Sequence, residues 1–536
     1  MSAMAGTAAL ARLALRRDRV MLPAWILVIA GLTATTASSF AQLYPTVEAR
    51  QEFATGIGRN PSLFALYGRA FDLTSVGGLT AWRIGGFAAV LAALMSLFTV
   101  VRHTRAEEEA GRLELVGSGV VGRLAPLTAA LLVAFGAGLI LAALVAAGLI
   151  GVGLPAAGSF AFGLAIATGG WMFAAVASTA AQLTESARAA NGIAAAVLGL
   201  SYLLRAIGDT AGEHSWLANL SWLSPIGWTQ QVRPFVGERW WVFGLAAVFA
   251  AVLTAAAYRL VARRDLGAGL LPSRPGPAEA ARTLRSPLAL AWRLHRAALA
   301  GWVAGFAVLG AALGSIAAGV GDLVTDSPQL RDLLSRMGGE RGIVDTYLNA
   351  TMGIVGVIAA VYTVQASLRL RVEETSQRAE PVLATAVSRV RWALSHLTFA
   401  VLGTAALLGV AGLGAGFAHG LRTHDLGGQL PRLLGAALVE LPAAWVLVGI
   451  TAVLFGLVPR LSAGGWAAVL LFLLLGQFGP LLRLNQVIMD ISPFTHVPKV
   501  LGGELTFAPL VWLAMLAGAL TAAGLVGFRR RDVGAG

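Results

Sequence analysis

The residues of this 536-residue chain that could do chemistry are few, and none has a catalytic arrangement. There is one lysine, Lys499, in the stretch THVPKVLGG. A phosphate-gripping loop of the form G-x-x-x-x-G-K-[ST] needs its lysine after a glycine and before Ser or Thr, because that lysine reaches the outer phosphates. Lys499 follows Pro498 and precedes Val500, so the chain carries no such nucleotide-hydrolysing motif. It has no cysteine, which removes disulfides, thiol nucleophiles and cysteine metal sites. Of the seven histidines, His419 and His424 lie five apart, off the four-residue spacing of a helical metal pair, and read as loop-end residues. No cluster of His, Asp, Glu or Ser has catalytic spacing. We expect no catalytic residue, no metal site and no cofactor held by the chain itself.

The densest chemistry is instead the stretch TRAEEEAGRLELVGSGVVGR, residues 104–123, with four glutamates and three arginines. It stands between long apolar runs in a chain that is 57% hydrophobic and 12% charged. A mean hydropathy of +0.74 excludes a soluble globular protein. A bilayer-spanning helix takes about 20 mostly apolar residues. We read twelve such segments, near 21–41, 84–102, 125–151, 158–182, 190–207, 240–260, 298–321, 348–368, 393–418, 433–457, 464–482 and 507–527. Arg12, Arg16, Arg17 and Arg19 before the first resemble a secretory signal. With eleven spans to follow, an uncleaved first span is expected.

Orientation follows from arginine placement. The N-terminus, the C-terminus and the loops 102–124, 183–189, 259–297, 369–391 and 458–463 hold 26 of the 40 Lys and Arg residues. The opposite loops, with flanking Arg83, Arg205 and Arg483, hold the other 14. The chain is expected in the cell membrane, with the basic side and both termini in the cytoplasm. The net charge of +13 then reflects topology, and nucleic-acid binding is not required.

The sequence is duplicated. RRDLGAG, residues 263–269, returns as RRDVGAG, residues 530–536. LSPIGW around Ser224 and Pro225 returns as ISPFTH around Ser492 and Pro493. The charged segment returns without a gap. Arg105, Glu107, Glu108, Arg112, Glu114, Val116, Val121 and Arg123 correspond to Arg371, Glu373, Glu374, Arg378, Glu380, Val382, Val387 and Arg389. The expected fold is all-α and membrane-integral: two six-span halves, 1–270 and 288–536, joined by a cytoplasmic linker at 271–287. Because six is even, the halves are parallel repeats, an arrangement that encloses a pathway between them.

Each copy of the segment predicts one short charged helix. Glu108 and Arg112, and Glu374 and Arg378, are spaced for i,i+4 pairs with the acid first. Glu107 and Glu114 are seven apart and predicted to share a face. Pro381 is expected to stop the second helix after Glu380, and Gly117 and Gly119 the first. Arginines alone would set topology; Asp and Glu contribute little to it. The repeated glutamates therefore suggest a docking surface for a partner that is itself two-fold.

On these residues the segment resembles the coupling segment of ABC exporter permeases of the drug and polyketide-antibiotic exporting class. EEEAGRLELVGSGVVGR and EETSQRAEPVLATAVSR both look like it. The second copy departs from the first with Gln377 for Gly111 and Thr375 for Glu109. The resemblance implies two copies of a cytoplasmic ATP-binding subunit, which would hold ATP and Mg. It implies that this segment inserts into a groove of that ATPase, and that an amphipathic helix precedes the first span of each half. AALARLALRRDR and LALAWRLHRAAL fit such helices, which would also anchor at an anionic leaflet.

Between the fifth and sixth spans, Trp216, Trp222, Trp228, Trp240 and Trp241 suit an interfacial belt. In the resembled class this region looks like re-entrant helices capping the pathway, with Ser224, Pro225, Ser492 and Pro493 at the gate. An ordinary interfacial loop reads equally well. Small outer helices are expected in the loops 42–83 and 322–347. Intramembrane charge is costly and marks a functional hypothesis. Glu440, in ALVELPAAW, is the clearest case. It is either a carboxylate lining the pathway or a buried one bonded to a neighbour. The expected function is the permease of an ATP-driven exporter of a hydrophobic drug, antibiotic or lipid-like compound, surrounded by lipid. The alternative is a proton-coupled secondary multidrug transporter.

Overall fold

The computed structural model describes residues 2–57, 61–211, 215–265, 267–271, 278–281, 283–325, 339–478, 485–503 and 506–532. Among them there is no strand, and eleven helical stretches, Leu426–Leu457 counted as one, are long and apolar enough to cross a bilayer. The protein is an all-α, multi-pass membrane protein. The first six predicted spans fall on helices Met21–Leu43, Val76–His103, Ala125–Gly151, Ala156–Leu183, Ala187–Thr210 and Trp241–Arg263. Of the others, the eleventh is the shorter helix Gly464–Phe478, and the last four residues predicted for it lie outside the described residues. So do residues 326–338 of the loop 322–347, where a small outer helix is expected.

The chain divides into two compact units, Met1–Gly276 and Pro277–Gly536. In the first, Ala156–Leu183 is the most deeply buried span and packs on Val76–His103, Ala125–Gly151 and Trp241–Arg263. In the second, Pro287–Thr325 packs along Arg389–Thr423, and Leu441–Leu457 along Phe507–Arg530. Helices in lipid gain little from hydrophobicity, so small residues that permit close backbone approach supply the packing. A Cβ at Gly310 would lie 2.2 Å from the Ala411 carbonyl oxygen. Gly310→Val should therefore separate these helices, costing more than the roughly 1–3 kcal/mol of ordinary overpacking. A fall in the thermal midpoint of detergent-purified protein would register it.

The two amphipathic helices differ in form. The first, Thr7–Arg17, is separate from its span, whereas the second runs into its span as one helix, Pro287–Thr325. The break in the first is held by Asp18, which is fully buried. His103 Nε2 lies 2.6 Å from its carboxylate and Arg102 lies 3.2 Å away.

Three expectations are corrected here. Arg205, read as a loop-flanking charge, is fully buried within Ala187–Thr210. It donates to the Ala65 carbonyl at 2.7 Å, and Tyr202 donates to that of Leu66 at 2.7 Å. Both satisfy carbonyls left open at the end of the short helix Pro61–Tyr67. Trp228, assigned to the belt, is buried edge-on against Phe249, while Trp222 and Trp241 stack at 5.7 Å. The tenth span is not one helix. It breaks between Leu426–Leu438 and Leu441–Leu457, at Val439 and Glu440, with Pro442 starting the second piece.

Candidate functional site

Both charged segments fold as two short helices, not one. In the first unit these are Arg105–Glu109 and Arg112–Gly117, and in the second Arg369–Thr375 and Ala379–Leu383. The break falls at equivalent residues, Gly111 with φ +69° and Gln377 with φ +57°. Glycine takes this left-handed conformation freely and glutamine only under strain. The shape is thus kept where the residue that favours it is lost. Pro381 does not end a helix. It sits in the first turn of Ala379–Leu383, where its missing N–H costs nothing.

The break overturns the expected ion pairs. Glu108 does not pair with Arg112, nor Glu374 with Arg378, and Glu107 and Glu114 lie on different helices. Arg112 instead holds Glu107 through two hydrogen bonds of 2.7 and 2.9 Å. The hydrogen bond and charge of Glu107 push the Arg112 guanidinium above its ordinary pKa. Glu108 accepts from Arg264 at 2.8 and 3.0 Å and pairs with Arg105 at 2.6 Å. Glu374 accepts from Arg531 at 2.6 and 2.8 Å and pairs with Arg371 at 3.3 Å. Bidentate guanidinium–carboxylate contacts of this kind are strong and fix orientation.

Arg264 and Arg531 are the second arginines of the two RRD repeats, each just past the end of its unit's last span. Arg123 donates to the Arg264 carbonyl, and Arg389 donates to the Arg531 carbonyl at 2.6 Å. Two stretches recognised as separate repeats thus meet in one constellation, built twice: Arg105, Glu108, Arg123 and Arg264, then Arg371, Glu374, Arg389 and Arg531. Arg105 is fully enclosed, donating to the Ala181 and Ala268 carbonyls as well. A cavity of about 400 Å³ adjoins the first constellation, lined by Leu113, Val116 and Val121 opposite Arg264 and Val261.

Repeated charge therefore divides into two roles. Arg105, Glu108, Glu373 and Glu374 face inward, whereas Arg112, Glu114, Arg378 and Glu380 face outward. Apolar side chains stand among the outward set. Leu115 is 77% exposed, Val120 73% and Val372 44%.

At the predicted gate, Ser224 caps helix Pro225–Gln231, accepting from Gly227 N–H at 2.9 Å and donating to the Ser201 carbonyl at 2.6 Å. Pro493 begins the short helix Pro493–His496, and Ser492 before it is fully buried. Glu440 sits at the break in the tenth span, 6% exposed, against Gly356 of the helix Gly339–Ser367. Its Oε2 has no hydrogen-bond partner among the described residues.

Comparison with known proteins gives two matches. The family model for the C-terminal domain of the multidrug efflux system permease Rv1217c matches residues 284–529. The chain is 45% identical over 533 residues to the multidrug efflux system permease protein Rv1217c of Mycobacterium tuberculosis (strain ATCC 25618 / H37Rv). That match covers 99% of this chain and 96% of the relative.

Proposed function

We propose, from the premise that this chain belongs to the family of multidrug efflux system permeases, that it is the membrane permease of an ATP-driven exporter. The observation that carries the ATP-driven part is the pair of repeated segments between the second and third spans of each unit. Each ties one inner glutamate, Glu108 or Glu374, to the arginine past its unit's last span and presents apolar side chains, Leu115 and Val372, among charged ones. Exposed apolar anchors rimmed by charge suit a protein partner. Two such segments suit two copies of a cytoplasmic ATP-binding subunit, with ATP and Mg bound there. The arginine distribution supports both termini in the cytoplasm. The cargo is a hydrophobic drug-like compound, consistent with spans dominated by Ala, Leu and Gly. Purification from the native membrane with an ATP-hydrolysing subunit, stimulated by the lipophilic cation tetraphenylphosphonium, tests this reading. Recovery without any ATPase would count against it.

Glu440 is proposed as the carboxylate of the pathway, because it is buried in a span and its helix breaks beside it. Glu440→Gln keeps the volume and removes the charge. Export of tetraphenylphosphonium should fall about tenfold, as expected for loss of a desolvated charge contact, with export of a neutral hydrophobic dye little changed. Equal export of both in wild type and variant removes Glu440 from the pathway. The outer short helices started by Ser224 and Pro225, and by Ser492 and Pro493, are proposed as the external gate.

The second reading, a proton-coupled transporter, rests on Glu440 alone, where a relay of intramembrane acids or paired charges would be expected. Efflux that persists through ATP depletion and stops with a protonophore would select it.

A further inference from the structure

We infer that the two coupling segments are anchored unequally: among the described residues the glutamates of the first hold three different helices, whereas in the second only Glu374 reaches beyond its own helix, to the arginine past the last span. This rests on the exporter reading. In the first unit three successive glutamates each hold a different helix. Glu107 accepts from Arg17 of the amphipathic helix at 2.7 Å. Glu108 accepts from Arg264 at the end of the sixth span at 2.8 Å. Glu109 accepts from the N–H of Ala187, the first residue of the fifth span, at 2.9 Å.

The second unit keeps the middle tie. Glu374 accepts from Arg531 through both oxygens, at 2.6 and 2.8 Å. Glu373, the counterpart of Glu107, pairs at 2.7 Å with Arg369 on its own helix. Thr375, the counterpart of Glu109, bonds the Arg371 and Val372 carbonyls, also on its own helix. The amphipathic helix and fifth span thus receive glutamate contacts in the first unit that the second unit's counterparts spend locally.

Arg264 and Arg531 are positioning residues in this account. They are linked to the spans and lie apart from the exposed faces that meet the partner. Beside the Arg264 tie, Glu107 and Glu109 hold two further helices to the first segment, whereas beside the Arg531 tie Glu373 and Thr375 make only local contacts among the described residues. An allosteric link of this kind is worth roughly 5- to 150-fold in coupling, so its loss should be readable in one unit and muted in the other.

The chain has no cysteine, so a single introduced thiol can be labelled cleanly. Leu223→Cys reports on the loop after the fifth span and Val487→Cys on the loop before the last; both sites are exposed. Each carries an environment-sensitive fluorophore in the complex with the co-purified ATP-binding subunit, and Mg–ATP is added. Arg531→Gln should reduce the Val487→Cys response at least about fivefold, while Arg264→Gln should reduce the Leu223→Cys response less than about twofold. Adding Glu107→Gln and Glu109→Gln to Arg264→Gln should bring the first unit's loss level with the second's.

Arg531→Gln strands a buried carboxylate, so the neutral pair Glu374→Gln with Arg531→Gln provides a folded companion and should show the same loss. The exchange Glu374→Arg with Arg531→Glu should restore the response, which general destabilisation would not allow. Equal losses from Arg264→Gln and Arg531→Gln, or an intact response in the neutral pair, would overturn the inference alone. No Mg–ATP response in the unsubstituted chain would overturn the exporter reading and the inference with it.

Discussion

Changing Leu115 and Val372 to aspartate is expected to release the ATP-binding subunit and abolish export, leaving the permease folded. Both side chains stand on the repeated segments and are exposed, Leu115 at 77%. Neither supports the spans, so the cost to folding should stay within about 0.5 kcal/mol, as for surface changes elsewhere. In the complex the balance reverses. Burying a leucine or valine in a partner's groove contributes about 1.5–3 kcal/mol. An aspartate there loses that and adds a desolvated charge. Together the two changes should weaken association at least about a hundredfold, the range of interface hot spots. Co-purification of the ATPase, alongside the size-exclusion profile of the permease, measures both halves of the expectation.

Arg105→Ala should have the opposite signature: the permease itself should fail to accumulate. The Arg105 guanidinium is fully enclosed, and it serves the Ala181 and Ala268 carbonyls as well as Glu108. Truncation leaves buried acceptors unpaired and a void in place of a long side chain. Removing one partner of a buried pair costs about 3–5 kcal/mol, against a net stability of about 5–15 kcal/mol for a typical domain. Arg371→Ala should cost much less, since its side chain is 20% exposed and Arg531 still holds Glu374. The yield of monodisperse protein in detergent separates the two variants.

The spans were legible because hydrocarbon permits little else than long apolar helices. The duplication was legible because it left RRD and E-E-x-x-x-R-x-E in register. What the repeat was for was less legible. Helical spacing pairs Glu108 with Arg112, but left-handed residues at 111 and 377 divide each helix and send Glu108 and Glu374 to distant arginines. Gly111 signalled that break and Gln377 concealed it. RRD and the charged segment were both visible as repeats, and their joint duplication was the available hint that they meet. Asp18 with His103, and the burial of Arg205, depend on contacts across 85 and about 140 residues, which no local pattern encodes. Glu440 was found from its charge within an apolar run, and Pro442 is the local signal for the break beside it.

The central claim is that a partner ATPase engages the permease at these two segments. The most direct measurement places a photo-crosslinking residue at Leu115, and separately at Val372, in the intact membrane. The account predicts an adduct with an ATP-binding subunit from both positions, and none from a label at Leu139, which is exposed within the third span. No ATP-binding subunit in either adduct, with the permease expressed and folded, would contradict it.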